Sequence, residues 1–431
     1  MSILGEREPG AASRGSRIAA RNLALLVLLL VTGLAGGAAR WIRPDRESIF
    51  PLEGSAVAVV SSEDDVGIGS LRQAIFDANL AQGRARIQFT AHHVRVRSPL
   101  PPLVNPVGMV IEGGGTTTIE ADLPKDAPLF EASSPRVGFW GLKLRAVGGT
   151  AIQVNGGAVA VTGVDISDSH IGILVGGSVK ELRVEKSTFD SNDTGVLILS
   201  DAQVAVLGSH FRRHLSAGIW AALSPPSASG PSRRVIRGNT FQEDRIGLSL
   251  IHADSRVEEN EFRNCREAGL FLSGRAGEIK RNRVHSGAIG IQAEETQGLL
   301  IEGNEIDHNS AMGLLLRSSS RGLVRANRLH GNGYGIALIL GSQESPVLVE
   351  GNVLLGQKVD GLFVLGGSPG LRDNHVMGSG GAALRILDYV PSHGGTIFAH
   401  PRLEANSLTG NLFDEPVRGR YLVPPVKGPS S

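Results

Sequence analysis

The chain is poor in aromatic residues, has a single cysteine and carries almost no net charge. Only 3 of its 431 residues are Trp and 3 are Tyr, and aromatics make up 4%. A globular enzyme of this length usually draws more of its core from such rings. The lone Cys265 excludes an internal disulfide framework and any cysteine-built zinc site. It reads as a small buried or turn residue. With 43 basic and 42 acidic residues the formal charge is +1, so no global field draws nucleic acid, and that partner class is set aside. Also missing are a Gly-x-Ser-x-Gly elbow, a His-Glu-x-x-His pair and a phosphate loop with Lys; Gly113–Gly115 is a turn triplet without the rest of a nucleotide fingerprint.

Glycine is abundant, at 57 residues, and is spread among Val, Ile and Leu. That mixture suggests short strands separated by tight turns. One long uncharged run stands apart. Residues 23–39 (LALLVLLLVTGLAGGAA) follow Arg7, Arg14, Arg17 and Arg21. The positive-inside rule puts residues 1–22 in the cytoplasm as a leader and the chain after about residue 40 across the membrane. Two readings stay open for 23–39. It is long enough, at the lower limit, for a spanning anchor, and Gly37-Ala38-Ala39 resembles a cleavage site for a secretory signal. Residues 40–54 read as a linker and 427–431 as a tail.

From about residue 180 the sequence repeats with a period near 22 residues. One marker is a glycine before an apolar strand: Gly195, Gly218, Gly247, Gly269, Gly290, Gly313, Gly335 and Gly361. The other is an asparagine two residues before an apolar one: Asn239, Asn260, Asn282, Asn304, Asn327, Asn352 and Asn374, with Ser187 and Ser209 in the same place earlier. A leucine-rich repeat of this length needs a helical side. Here the segment between glycine and asparagine reads as a second short strand, so each period is expected to be a coil of three strands. The fold class is all-β: a single parallel β-helix of about ten coils over residues 99–387. An N-terminal cap is expected at 55–98 and a C-terminal cap at 388–426, where the period fades.

The pattern assigns faces. Three residues before each asparagine stand Ile236, Val257, Ile279, Ile301, Val324, Val349 and Leu371, all branched and apolar, which places them inward. The next position reads Arg237, Glu258, Lys280, Glu302, Arg325, Glu350 and Arg372. Its sign alternates at every coil. Coils stack about 4.8 Å apart, so alternating charges attract and a slip of one coil sets like against like. The seven asparagines are expected to form a buried structural ladder, since Asn tolerates left-handed backbone and bonds locally in turns.

Residues 70–82 (SLRQAIFDANLAQ) form one amphipathic helix, with Ser70 as its N-cap. It is expected to cover the N-terminal end of the solenoid, which needs a cap. The stretch Asp65–Asn79 (DVGIGSLRQAIFDAN), with Ile87-Gln-Phe89 after it, resembles the opening motif of polymorphic outer-membrane-type and adhesin-like exported bacterial proteins. The coils behind it resemble the right-handed parallel β-helix repeat group of pectate-lyase-like and NosD-like carbohydrate-binding proteins. The resemblance implies a right-handed solenoid exported to the periplasm or cell surface; it does not imply one activity.

Candidate sites fall on the outward columns. In polysaccharide lyases of this group, the resemblance implies an Arg or Lys base beside acids that hold calcium. The column three after each asparagine reads Asp190, Arg212, Gln242, Arg263, His285, Asp307 and His330, without a multi-Asp cluster. No metal or cofactor is therefore expected, and calcium enters only with a lyase. Arg212, Arg213 and His214 fall near the inserted segment 224–233 with Arg233 and Arg234, the most concentrated basic patch. His252, Asp254 and Arg256 form another cluster. A third column, two residues after each marker glycine, reads Leu197, Trp220, Ser249, Phe271, Gln292, Leu315, Ala337 and Phe363. Exposed Trp220 and Phe271 suit stacking on sugar rings or on a partner protein. The expectation is a non-catalytic binding or structural module of the cell envelope that recognises polysaccharide or an envelope protein. The alternatives are a lyase or epimerase acting on uronate polymers, and an adhesin-like module.

Overall fold

The computed structural model describes residues 55–124, 127–223, 234–275, 277–391 and 395–422. The leader, the run 23–39, the linker, the segment 224–233 with Arg233 and the tail all lie outside these residues. Among the described residues no helix is long and apolar enough to cross a membrane.

The described residues wind into a parallel β-helix of about thirteen coils. A typical coil has three strands. Ser255–Glu258 belongs to the first sheet, Glu261–Arg263 to the second and Ala268–Ser273 to the third. Each pairs in parallel with its equivalents in the coils on either side, as Ser255–Glu258 does with Arg234–Arg237 and with Gly277–Lys280. The excess over ten coils comes from both ends: residues 402–422 add a coil, and the rest lies in the N-terminal part. There the strands Met109–Asp122, Arg136–Val147, Thr150–Thr162 and Ile171–Glu185 run round a corner from one sheet into the next. They bend at glycines such as Gly114, Gly141, Gly157 and Gly177 rather than at the regularly spaced asparagine slot, so the 22-residue marker pattern does not show there.

Alternation along each short strand fills one continuous core. Ile236, Val257, Ile279, Ile301, Val324, Val349 and Leu371 are all buried. In the second sheet Phe189, Phe211, Phe241 and Phe262 stack face to face at 4.7, 4.9 and 4.6 Å between ring centroids. These rings explain the marker glycines. A Cβ added at Gly195 would lie 2.4 Å from the carbonyl oxygen of Gly218 and 3.0 Å from the Phe211 ring. The backbone of the next coil passes too close for any side chain.

The charged column is a single file: Arg237 pairs in register with Glu258, then Lys280, Glu302, Arg325, Glu350 and Arg372. Its ion pairs are local. Arg325 and Glu302 approach to 2.7 Å and Lys280 and Glu302 to 3.8 Å, and Arg372 pairs with Glu350. Arg237 instead reaches Glu259, at 2.8 Å.

The asparagine ladder is buried. Asn260 donates from Nδ2 to Asn282 Oδ1 at 3.0 Å and to the Ile236 carbonyl at 2.8 Å, while its backbone N–H also donates to Asn282 Oδ1. The same pattern runs on to Asn406. The left-handed residue of each turn is the one before the asparagine, for example Gly238, Glu259 and Arg281. The asparagine is there to bond carbonyls and amides that no strand satisfies.

Ser70 caps α1 (Leu71–Leu80) by accepting from the Gln73 N–H at 3.2 Å. Leu71, Ala74, Ile75 and Ala78 are buried against the first strands. At the other end, residues 402–422 supply three more strands in register with the coil before them.

Candidate functional site

Three outward faces clothe this solenoid, and they differ in chemistry. The second sheet presents two polar files. One runs Thr188, His210, Thr240, Glu261, Arg283, Glu305 and Arg328. The other runs Asp190, Arg212, Gln242, Arg263, His285, Asp307 and His330. The third sheet carries Ile246, Phe271, Ile289, Met312, Tyr334 and Phe363 on its outside, interrupted by Gln292 and by the Glu294–Arg317 ion pair.

The basic patch is more neutral than its letters. Arg212 and Arg213 both hold Asp190, at 2.7 and 2.6 Å. Burial works to raise the Asp190 carboxyl, but hydrogen bonds from Arg213, Ser191 and Arg212 outweigh it and hold it below its usual value. Arg234 is buried and 3.1 Å from Asp201. His214 does not join the patch. It is fully buried, and it occupies a second ladder at the corner between the second and third sheets.

That ladder was not expected. It runs through Ser169, Asn192, His214, Asp244, Cys265, Gly287, Asn309, Asn332, Gln357, Ser379 and Asn411, each just after a left-handed residue. Asn309 donates to Asn332 Oδ1 at 3.0 Å, and Asn332 to Gln357 Oε1 at 3.2 Å. In the middle, His214 Nδ1 lies 2.6 Å from Asp244 Oδ1, which also accepts the His214 N–H at 2.9 Å. Asp244 Oδ2 is buried without a hydrogen-bond partner. Burial pushes the Asp244 carboxyl up, and the hydrogen bonds from His214 offset this only in part. Burial, with the nearby Asp244 charge, also pushes up the Cys265 thiol, which keeps it unreactive.

On the polar face, Asp307 sits in register between His285 and His330. Its Oδ2 is 2.8 Å from His308 Nδ1, and its Oδ1 is buried without a partner. The His308 and His330 rings meet edge to face at 5.1 Å. Among the described residues no group of three or more His, Cys, Asp or Glu is placed to hold a metal ion. Nearer the N-terminus, Arg95, Arg97, Glu120, Asp122, Arg145 and Val147 line an open groove of about 580 Å³. Sequence reasoning missed it because the early coils carry no markers.

The third column holds its register from Leu197 through Trp220, Ser249, Phe271, Gln292, Leu315 and Ala337 to Phe363. Trp220 is 37% exposed, and Phe271 and Phe363 are half-buried. Ser249 is buried between the two larger side chains, so Trp220 and Phe271 flank a notch. They stand two coils apart, about 10 Å. Leu315 and Ala337, expected outside, are covered.

A family model described as a right handed beta helix region matches residues 227–379. This chain is a right-handed parallel β-helix. Similar solved structures include the periplasmic alginate epimerase AlgG, at 12% identity over 81% of this chain and 84% of that one, with a TM-score of 0.47. The A-module of the Azotobacter vinelandii mannuronan C-5 epimerase AlgE6 is 14% identical over 84% and 97%, with a TM-score of 0.44. The Dettilon tailspike protein is 12% identical over 84% and 68%, with a TM-score of 0.43. No curated protein matches the chain in sequence.

Proposed function

We propose that this β-helix is an exported or membrane-anchored protein of the cell envelope that binds an extended polysaccharide along the outside of its third sheet, without chemistry. Residues 23–39 direct it to the membrane, and the solenoid lies beyond it. The observation that carries the reading is the Trp220–Ser249–Phe271 register. Two aromatic faces separated by a small hydroxyl residue, on a rigid sheet, offer stacking surfaces for sugar rings at low entropic cost. A linear polymer suits a linear stripe. The test is calorimetric binding to a panel of neutral and uronate glycans, with Trp220→Ala and Phe271→Ala. Loss of affinity in both variants, with unchanged thermal unfolding, supports the reading. No binding above background to any glycan removes it, and capture of an envelope protein through the same two residues replaces sugar by protein as the partner.

A second reading, a lyase or epimerase on uronate polymers, is favoured by the Asp307–His308–His330 group. A carboxylate oriented on one imidazole, beside a second imidazole, is suited to moving a proton at a sugar carbon. Chain-cleavage and epimerisation assays, with and without calcium, test it; activity that His308→Ala and His330→Ala abolish is the expected result, and inert polymers end it.

A further inference from the structure

The two ends of the solenoid are finished differently. At the N-terminal end, α1 lies over the first strands and buries Leu71, Ala74, Ile75 and Ala78. At the C-terminal end, Arg402–Glu404, Ser407–Thr409 and Val417–Leu422 each pair with the coil before them and, among the described residues, with nothing after. Leu371 is 1% exposed; its register partner Leu403 is 44% exposed. Leu412, Phe413, Tyr421 and Leu422 are exposed beside it. Unpaired edge strands over an apolar core are a template for another strand.

The charges on this edge say which strand fits. The alternating file ends Glu350, Arg372, Glu404, so the next coil calls for a cation. Neither Arg402 nor Glu404 has an ion pair among the described residues. We propose that the C-terminal coil pairs with the C-terminal coil of a second copy about a two-fold axis through Leu403. In an antiparallel pair centred on Leu403, Arg402 of each copy lies opposite Glu404 of the other, on the outer face. The second copy thereby supplies the cation that the file lacks, twice by symmetry. The same axis sets Ser407–Thr409 against Val417–Leu422 and covers Leu403 with its own equivalent. Such a contact is isologous and closes at two copies, and the helix over the N-terminal end blocks head-to-tail stacking into a fibre.

The test uses the full-length chain in non-ionic detergent. A residue on the axis meets itself, at a separation that a disulfide spans. Leu403→Cys under mild oxidation should give a covalent dimer much faster than Glu305→Cys on the exposed lateral face, and buried Cys265 does not compete. By sedimentation, Arg402→Glu and Glu404→Arg should each weaken association about tenfold relative to wild type, as two attractive pairs become repulsive. The double reversal should restore it. Equal cross-linking of the two cysteine variants, or single reversals without effect, overturns the proposal. So does a monomeric Leu403→Cys variant whose new thiol resists thiol reagents until residues 423–431 are deleted, which would make the chain's own end the cover.

Discussion

Asn239 and Asn260, 21 positions apart, share a hydrogen bond of 2.9 Å from Nδ2 to Oδ1 inside the core. Every link of the ladder is of this kind, and the ladder holds the corner between the first and second sheets. Removing one member takes a partner from several buried groups at once. Asn282→Ala deprives the Asn260 amide, the Asn304 side-chain oxygen and the Val257 carbonyl of a hydrogen bond each. Unsatisfied buried groups cost about 1–3 kcal/mol each. The expected loss is about 3–5 kcal/mol by denaturant unfolding. A loss below about 1 kcal/mol would mean that water replaces the amide.

The charged file should behave oppositely. Arg325 is half exposed and bonds Glu302 at 2.7 Å. Exposed pairs contribute about 0–1 kcal/mol, so Arg325→Ala should move the unfolding midpoint little. Its value lies in register, and Glu302→Lys, which sets three cations in a row, should lower refolding yield more than stability. Comparing both observables for the two variants checks this.

Why one ladder was legible and the other was not follows from these residues. At the first corner the slot is filled by Asn in eight successive coils, from Asn239 to Asn406, so the letter itself repeats. At the second corner the same geometric role falls to Asn192, His214, Asp244, Cys265, Gly287 and Asn309 in turn. Each can end a strand or bond a neighbour, but no letter recurs, and His214 therefore reads as part of a surface patch with Arg212 and Arg213. The alternating file was legible because register is local arithmetic. The coil count was not, since strands such as Ile171–Glu185 turn a corner at a glycine pair, Gly176-Gly177, outside the asparagine period. The covering of Leu315 and Ala337 depends on the size of neighbours in adjacent coils, which a column of letters does not convey.

The marker glycines give a steric prediction. At Gly313 an added Cβ would lie 2.8 Å from the Leu329 side chain and 2.9 Å from both the Asn332 amide and the Gly335 carbonyl oxygen. Gly313→Ala must push two coils apart, with an expected cost of about 1–3 kcal/mol. Gly163→Ala, in a left-handed turn with open space around it, should cost about 1 kcal/mol from backbone strain alone. Thermal melts of the two variants separate crowding from strain.

Asp244 offers the pH test. Its carboxyl is pushed above its ordinary value by burial, so the folded state holds a proton more tightly than the unfolded chain. The stabilising contribution of the protonated form is complete below the unfolded carboxyl value. It is lost as pH rises through the folded value. Asp244→Asn removes this titration. Its Oδ1 can keep both bonds from His214, and its new Nδ2 takes the place of the unpartnered Oδ2, where Asn332 in the same ladder bonds the Ile306 carbonyl. The variant should be more stable than wild type by about 1 kcal/mol at neutral pH. The gap should close as pH falls into the carboxylate range. Equal stability of the two proteins across the whole range would show that burial does not hold the Asp244 carboxyl above its ordinary value in the folded protein.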